Sequence, residues 1–597
     1  MDVDHRYIDA PLDQYKSIYK DEHDKNVREF FDKLVEKSQV DIHANKETNN
    51  KIKKLDQDRQ GVIKVINKQK GLKGFLIFLC IASVLAAIYS IVQITQLGAD
   101  TLYILITVFG FALLVLFIFL ITKVINPKLK EAKELKATLD QKINKLIEEA
   151  WQQMQPLNAL FREGMSQELF QKTVPFIELD KMFDSKRLDY LVSAYGLSDS
   201  HQKNRSALYV QSGHMHGNPF FICNDLVHTM GQKSYSGSIT IHWTTTSTVN
   251  GRRVTNHHTQ VLTATVSKPF PLYDEQPYLV YGNDAAPDLS FDRQDSDAEI
   301  LTQKQIDRLV DKDIKKLSKK SEKSITKGQN YTVMGNSEFE VLFGAHNRDH
   351  EVQFRLLFTP LAQKQLLELM KDKMIAYGDD FDFSKRKKIN YVYPEHLRKF
   401  KLDISPSYYH GYDLEVIQKT FVDYNNDYFK HVYFTFAPVL AIPLYQQQKP
   451  HEYIYKDLYD SYVNFYEHER VCNMMNQTEF KHPLSVTRNI LKTSLIKSGN
   501  NCDTIKVTAY GFKGEDRIDY VTKMGGDGRM HTIPVKWVEY LPVQKDSEVE
   551  INVVVEEEPE TARDKVMKMF EDLKNREKLS PTSVAALGAF VAIIKKK

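Results

Sequence analysis

The chain has 597 residues, too many for one hydrophobic core, so several structural units are expected. Its composition is 42% hydrophobic and 27% charged with a net charge of +3, which excludes wholesale disorder and a global nucleic-acid charge signal. The four cysteines (Cys80, Cys223, Cys472, Cys502) stand apart without CxxC or metal-ligand spacing and read as reduced thiols, and the polar N-terminus is not a signal peptide.

Residues 1–73 are expected to be a cytoplasmic, mainly helical region. Tyr15, Ile18, Tyr19, Val27, Phe30, Phe31, Leu34 and Val35 suggest a first helix, and "DIHANKETNN" a hinge after it. Next comes the strongest signal in the chain. Gly74–Ile94 and Leu102–Thr122 are each free of charge and each long enough to cross a hydrocarbon core of roughly 30 Å. "TQLGAD" separates them. Gly98 breaks a helix cheaply, and Asp100 is expensive in lipid, so residues 74–122 read as a transmembrane hairpin with Asp100 at an interface. Lysine and arginine set its orientation. The flanks carry many, among them Lys64, Lys68, Lys70 and Lys73 before the spans and Lys123, Lys128 and Lys130 after them, whereas the connecting loop has none. A multi-pass cell-membrane protein with both termini cytoplasmic follows. The same seven lysines are candidates for lipid-headgroup contact, beside their simpler role in topology. The spans hold no ionisable Asp, Glu, Lys, Arg or His, which favours an anchor over an ion or proton path. Ala82, Ser83, Ala86 and Ala87 could serve helix association.

Ile52, Leu55, Val62 and Ile66 share one helical face. Leu129, Ala132, Leu135, Leu139, Ile143, Leu146, Ala150, Met154 and Leu157 share another, bounded by Pro127 and Pro156. Residues 123–165 therefore read as an amphipathic stalk helix, which pairs with the helix before the spans in a coiled-coil-like stalk.

Residues 166–300 read as a β-rich cytoplasmic domain. Asn250-Gly251 between threonine-rich alternating runs signals a two-residue hairpin. That register sets Val249 opposite Arg252, Trp243 opposite His258 and Ile239 opposite Leu262. His214, His216, His242, His257 and His258 raise the question of a metal, but their spacing supplies no ligand set, and no metal or cofactor is expected. Residues 301–330 form a basic helical connector rich in lysine from Lys312 to Lys327. Its readings are a solvated face or contact with anionic lipid; nucleic acid is not expected, for want of an aromatic platform.

Residues 331–545 read as a second α+β domain. "SEFEVLF" and "VQFRLLF" are expected as strands around "GAHNRDHE", and "HVYFTFAPVLAIPLY" as buried strands broken by Pro438 and Pro443. "KDLYDSYVNFYEHERVCNMMN" reads as a helix, and "TIKVTAYGF", "RIDYVTKM" and "MHTIPVKWVEYLPV" as a meander. His346, Arg348, Asp349, His350 and Glu351 are the densest mixture of acid, base and cation. They are catalytic candidates, histidine as general base and arginine as anion clamp; the competing reading is a polar loop with an internal ion pair. "GGDG" (Gly525–Gly528) lacks any phosphate-loop signature and reads as a tight turn, and "HERVC" lacks the second histidine of a zinc-protease helix. Residues 546–597 hold an acidic linker, an amphipathic helix and an apolar tail, "SVAALGAFVAIIKKK". The tail is too short to span as a helix; it lies in the inner leaflet or docks on a protein surface.

The expected class is thus an α+β membrane protein with a large cytoplasmic region rich in antiparallel strands, and its composition suggests a bacterial source. The leading function is a membrane-anchored scaffold or adaptor. It would be a homo-oligomer or bind other membrane or cytoplasmic proteins. One alternative is a membrane-tethered enzyme acting on a phosphorylated or lipid substrate through residues 346–351. The other is an accessory subunit of a transport or secretion complex.

Overall fold

The computed structural model describes residues 8, 10–97, 101–198, 202–249, 252–327, 330–449, 463–499, 501–554, 559–576, 584–587 and 590–595. It is a mixture of helix and antiparallel sheet and divides into two units. One comprises Arg28–Phe161 and Pro406–Tyr424; the other comprises Met1–Val27, Arg162–Ser405 and Asn425–Lys597.

The first unit is built on two very long helices. One runs Ile42–Leu97; the other runs Thr101–Phe119, through a π-helical stretch Leu120–Ile125, into Asn126–Asn158. Each carries a segment long and apolar enough to cross a membrane. Leu105, Phe109 and Val115 are exposed to 67%, 66% and 67%, so the apolar side chains point outward rather than into a core. Where the two apolar segments meet, the residues are small. Ser90 and Thr107 share a hydrogen bond of 2.8 Å, and a Cβ on Gly110 would lie 3.4 Å from the Ser83 carbonyl. Ser83 and Ala87 thus line the contact between the helices, while Ala82 and Ala86 are exposed. Beyond the apolar segments, Ile52 clusters with Ile143 and Ala150, and Ile66 with Leu129 and Ala132. Leu135 stands apart from this seam, 51% exposed.

Pro127 stands in the first turn of the segment Asn126–Asn158, as its sequence position suggests, but the chain is already helical before it. The widened π turns immediately before it absorb the missing N–H and the ring, and the chain continues helical. "DIHANKETNN" is likewise mostly helix from Ile42 onward; the break is confined to Gln39–Asp41, where Gln39 has φ 52°. The loop Gly98–Asp100 lies outside the described residues.

The second unit holds two sheets, antiparallel throughout. The seven-stranded sheet has the order β1-β2-β3-β4-β7-β6-β5, with β1 Ile177–Leu179, β2 Arg205–Met215, β3 Asn218–Val249, β4 Arg252–Gly282, β5 Ser290–Arg293, β6 Phe381–Arg386 and β7 Ile389–Pro394. The five-stranded sheet has the order β11-β12-β10-β9-β8, with β8 Ile490–Gly499, β9 Cys502–Met524, β10 Met530–Val553, β11 Val584–Leu587 and β12 Phe590–Lys595.

The β3–β4 pairing is the one the alternation of Thr, Val and Ile predicts. Val249 pairs with Arg252, Trp243 with His258 and Ile239 with Leu262, although Asn250 and Gly251 themselves lie outside the described residues. The ladder is far longer than the alternating sequence suggests. It leaves β2 after Val227 and meets β7 only from Leu279, so residues 228–249 pair with β4 alone over roughly 70 Å at about 3.3 Å per residue. An isolated ribbon of that length would be marginal in water. The β9–β10 hairpin covers it. Ile241, Leu262 and Ala264 pack on Ile533 and Val535. Gly237 allows this approach, since a Cβ there would collide with the Pro534 carbonyl. The Gly525–Gly528 turn closes on the same ribbon: Gly526 N–H donates to Gln260 Oε1 at 2.7 Å beside the Trp243 ring. Past that turn, residues 244–248 and 252–257 continue exposed.

Three local expectations are overturned. "SEFEVLF" and "VQFRLLF" are helices, Ser337–Phe343 and Glu351–Leu357, because Asn336 and His350 cap them and their apolar residues recur every three or four positions. "HVYFTFAPVL" ends the helix Leu414–Leu440, with Pro438 in its last turn. Burial on every side erased the helical period there. "TIKVTAYGF" and "RIDYVTKM" are one strand, β9, paired along its length with β10, so the meander is a hairpin. In "KDLYDSYVNFYEHERVCNMMN" the described helix is Phe465–Met474; the residues before Val463 lie outside the described ones.

The tail is neither helical nor shallowly embedded. β11 and β12 form a hairpin that pairs with β10, and Val591 and Ala592 are fully buried. One face of this sheet packs on Val471, Cys472 and Phe480, the other on Val566 and Phe570 of the helix Pro559–Arg576.

Candidate functional site

Two features that are separate in sequence meet in the second unit: the basic helix and the 346–351 segment. The helix Gln303–Thr326 begins with Gln305 Oε1 accepting from the Thr302 N–H at 2.9 Å. It buries Ile306, Leu317 and Ser324 and leaves lysines on its other faces. Together with the segment after it and residues 346–349, it encloses a groove of about 870 Å³. Lys316, Lys319, Lys320, Lys323 and Lys327 form one wall; Tyr331, His346 and Arg348 contribute to the other.

Gly344, at φ 71°, ends the helix Ser337–Phe343 and turns the chain into the loop. Every second residue then grips β5. Asn347 Oδ1 accepts from the Asp292 N–H at 2.9 Å, and Asp349 Oδ1 accepts from the Ser290 N–H at 2.7 Å. His350 Nδ1 accepts from the Gln353 N–H at 3.3 Å and caps the next helix.

Arg348 points the other way. Its side chain is 1% exposed, and it donates to Glu351 at 2.7 Å and to Glu340 at 3.0 and 3.1 Å. Two carbonyls, of Ala345 and Thr332, take further N–H groups, and the guanidinium lies over the Tyr331 and Phe354 rings. Burial opposes its charge, yet Glu351 and Glu340 outweigh burial and hold its pKa above the ordinary value. Glu351 also accepts from Arg355 at 2.8 Å. Glu340 accepts from the Tyr331 hydroxyl at 2.6 Å, and burial with Glu340 beside it raises that phenol's pKa.

The members of the 346–351 set other than His346 thus have structural tasks. Arg348 is committed to two carboxylates rather than offered to a ligand, Asp349 and Asn347 tie the loop to a sheet edge, and His350 is a cap. His346 is the exception. Its Nε2–H donates to the Glu340 carbonyl at 2.8 Å, so Nδ1 carries the lone pair of the neutral ring, and burial lowers the ring's pKa. Glu340 and Tyr331 complete the site but escape sequence inspection. The available signal is Glu340 itself, an acid inside an apolar heptapeptide, which a helical reading sends to the core.

The lysines differ from Arg348. Lys320 Nζ donates to the His346 carbonyl at 2.7 Å and stands 4.9 Å over the Tyr331 ring. Lys316 pairs with Asp313 at 2.6 Å. Lys319, Lys323 and Lys327 are exposed and have no ion pair among the described residues.

The remaining candidates lie elsewhere. Lys64, Lys68 and Lys70 are exposed and Lys73 half-buried on the helix Ile42–Leu97; Lys123, Lys128 and Lys130 are exposed just beyond the second apolar segment. The five histidines are dispersed. His214 and His216 sit where β2 turns into β3, with His216 at φ 51° in the turn and Phe176 stacked on its ring. His242, His257 and His258 are far along the β3–β4 ribbon, where His258 stacks on Trp243. Among the described residues no three metal-ligating side chains cluster. His468 of "HERVC" bonds Asp503 at 3.1 Å, and Glu469 bonds Lys492 at 2.6 Å, both buried.

No protein-family model, no curated protein and no solved structure matches this chain.

Proposed function

We propose that the chain is a membrane-anchored, non-catalytic interaction protein. Its two apolar helical segments cross the bilayer as a hairpin, both termini are cytoplasmic, and the mixed α/β unit presents binding surfaces on that side. The observation that carries the anchor is the outward orientation of Leu105, Phe109 and Val115, a large apolar surface that water would penalise and lipid would not. Lysines on both flanks and none between the spans support the orientation. The commitment of Arg348, Asp349 and His350 to folding contacts favours a scaffold over an enzyme at that loop. The long double-hairpin ribbon, with its exposed threonine-rich end, supplies a surface for a protein partner.

Labelling tests the topology. A cysteine replacing Gly98 should react with an impermeant maleimide on intact cells, and one replacing Ile300 only after lysis. The reverse pattern overturns the orientation, and protection of neither site in intact cells overturns the anchor. In-cell crosslinking from a photoreactive residue at Thr246 should trap a defined partner; trapping nothing above the level of a control site at the exposed Met374 overturns the scaffold reading.

A further inference from the structure

We infer that the groove between the lysine face of the helix Gln303–Thr326 and residues 346–349 binds a phosphate-bearing polyanion. The inference specifies a ligand class for a surface of the proposed interaction protein, but its chemistry is independent of the membrane anchor.

The simplest alternative is a solvated lysine face. Solvated faces usually alternate charge, because like charges three or four residues apart destabilise a helix. Here Lys316, Lys319, Lys320, Lys323 and Lys327 follow one another at such spacings. They line one side of a half-open groove of about 870 Å³ whose other side includes residues 346–349. Two carboxylates behind that other side are already neutralised, and among the described residues Asp349 keeps its charge against the five lysines. Glu340 and Glu351 are neutralised by Arg348 and Arg355, and one oxygen of Asp349 is held by the Ser290 N–H. The groove therefore keeps an excess of positive charge that the protein does not satisfy. Lys320 is also pre-positioned, fixed between the His346 carbonyl and the Tyr331 ring, which reduces the entropy lost on engaging a ligand.

The donor type accommodates phosphate. Lysine offers a compact point charge suited to tetrahedral oxyanions, while the one planar fork at the site, Arg348, is fully occupied. Several lysines across one groove require several charges on the ligand. Stacked bases are disfavoured, since Tyr331 is buried and two cations lie over its ring. The shared chemistry is a cluster of phosphates, either soluble or on the headgroup of a lipid.

The test uses the full chain purified in detergent, where membrane orientation plays no part. Calorimetric titration with tripolyphosphate should show saturable binding that weakens at least tenfold in K319Q/K323Q. The control K312Q/K315Q, on the same helix outside the groove, should bind as the unaltered chain does. A water-soluble, short-chain phosphoinositide bisphosphate separates the sources: tighter binding than tripolyphosphate assigns a lipid headgroup, and equal or weaker binding a soluble anion. Absence of saturable binding to both probes overturns the inference. So does equal binding by K319Q/K323Q, or equal loss in both double variants, which would mark diffuse charge attraction. Circular dichroism checks that the exposed lysine-to-glutamine changes leave the helix intact.

Discussion

The two units solve the same problem in opposite ways. In the long-helix unit, the apolar segments turn large side chains outward and keep Ser90, Thr107 and Gly110 between them. In the α/β unit, large apolar residues go inward and most buried charges go in company: Arg293 with Asp379, and Arg348 with Glu340 and Glu351. On the proposal that the apolar segments lie in a bilayer, the difference lies in what surrounds each surface. Lipid rewards an outward Phe and penalises an outward charge; water does the reverse. With the apolar helices in a bilayer, an outward cation on them would face the same kind of desolvation penalty as a buried cation inside the α/β unit.

The largest effect is expected from breaking a buried pair. Arg293 is fully buried, donates twice to Asp379 at 2.7 Å, and lies over Phe343 and Phe381. Burial raises the Asp379 pKa and Arg293 opposes it. R293L should cost about 3–5 kcal/mol by stranding a carboxylate. R293L/D379L should recover most of that loss; chemical denaturation of the three proteins reads it. If the double variant is no more stable than the single, desolvation is not the dominant cost.

Lys385 is a buried cation without a carboxylate partner among the described residues; its Nζ donates to the Ala285 carbonyl at 3.1 Å. Burial lowers its pKa from 10.5 to about 7. Between those values the unfolded chain holds the extra proton, so stability should rise with pH across pH 7–10.5 and be flat in this contribution below it. At roughly 1.4 kcal/mol per pKa unit, K385M should gain several kcal/mol at pH 7 and little near pH 10. Thermal melts of both proteins at pH 7 and 10 check the sign. A variant less stable at pH 7 would place the lysine's hydrogen bond above its desolvation.

The same penalty on the outer face of the helices is tested by F109R. If the segment sits in lipid, the change should cost about 2.5–3.5 kcal/mol of insertion and reduce the carbonate-resistant membrane fraction. If the segment faces water, the fraction should not change and solubility should rise. The smallest effect belongs to the polar seam. S90A removes the bond to Thr107 and should weaken helix association by about 0.6 kcal/mol, measured by steric trapping in a bilayer.

Legibility followed the extent to which neighbours in sequence were neighbours in space. Hydropathy located the apolar helices, and the Thr/Val/Ile alternation set the Ile239–Leu262 register. The segment 337–357 misled because Val352 and Leu356 are apolar yet exposed, so they blur the three-to-four-residue spacing of the buried Phe339, Leu342, Phe343, Phe354 and Leu357. The tail misled for a related reason: twelve apolar or small residues mark burial, but only an available edge of β10 turns burial into a strand. The candidate loop was visible as a density of charge, but its partners were not. Glu340 lies 8 residues from Arg348 inside what reads as a strand, and Ser290 lies 59 residues from Asp349, so both meet the motif only through folding.

By itself, the sequence determined two apolar helices, basic flanks, a β-rich region with a threonine-rich hairpin, and a lysine-laden helix, since each rests on local composition and period. Tertiary structure alone decided that the second hairpin lies on the first, that the tail is a strand pair, and that the lysine helix shares a groove with residues 346–349. Those outcomes depend on which surfaces remain unpaired after each element forms, and no local pattern encodes that.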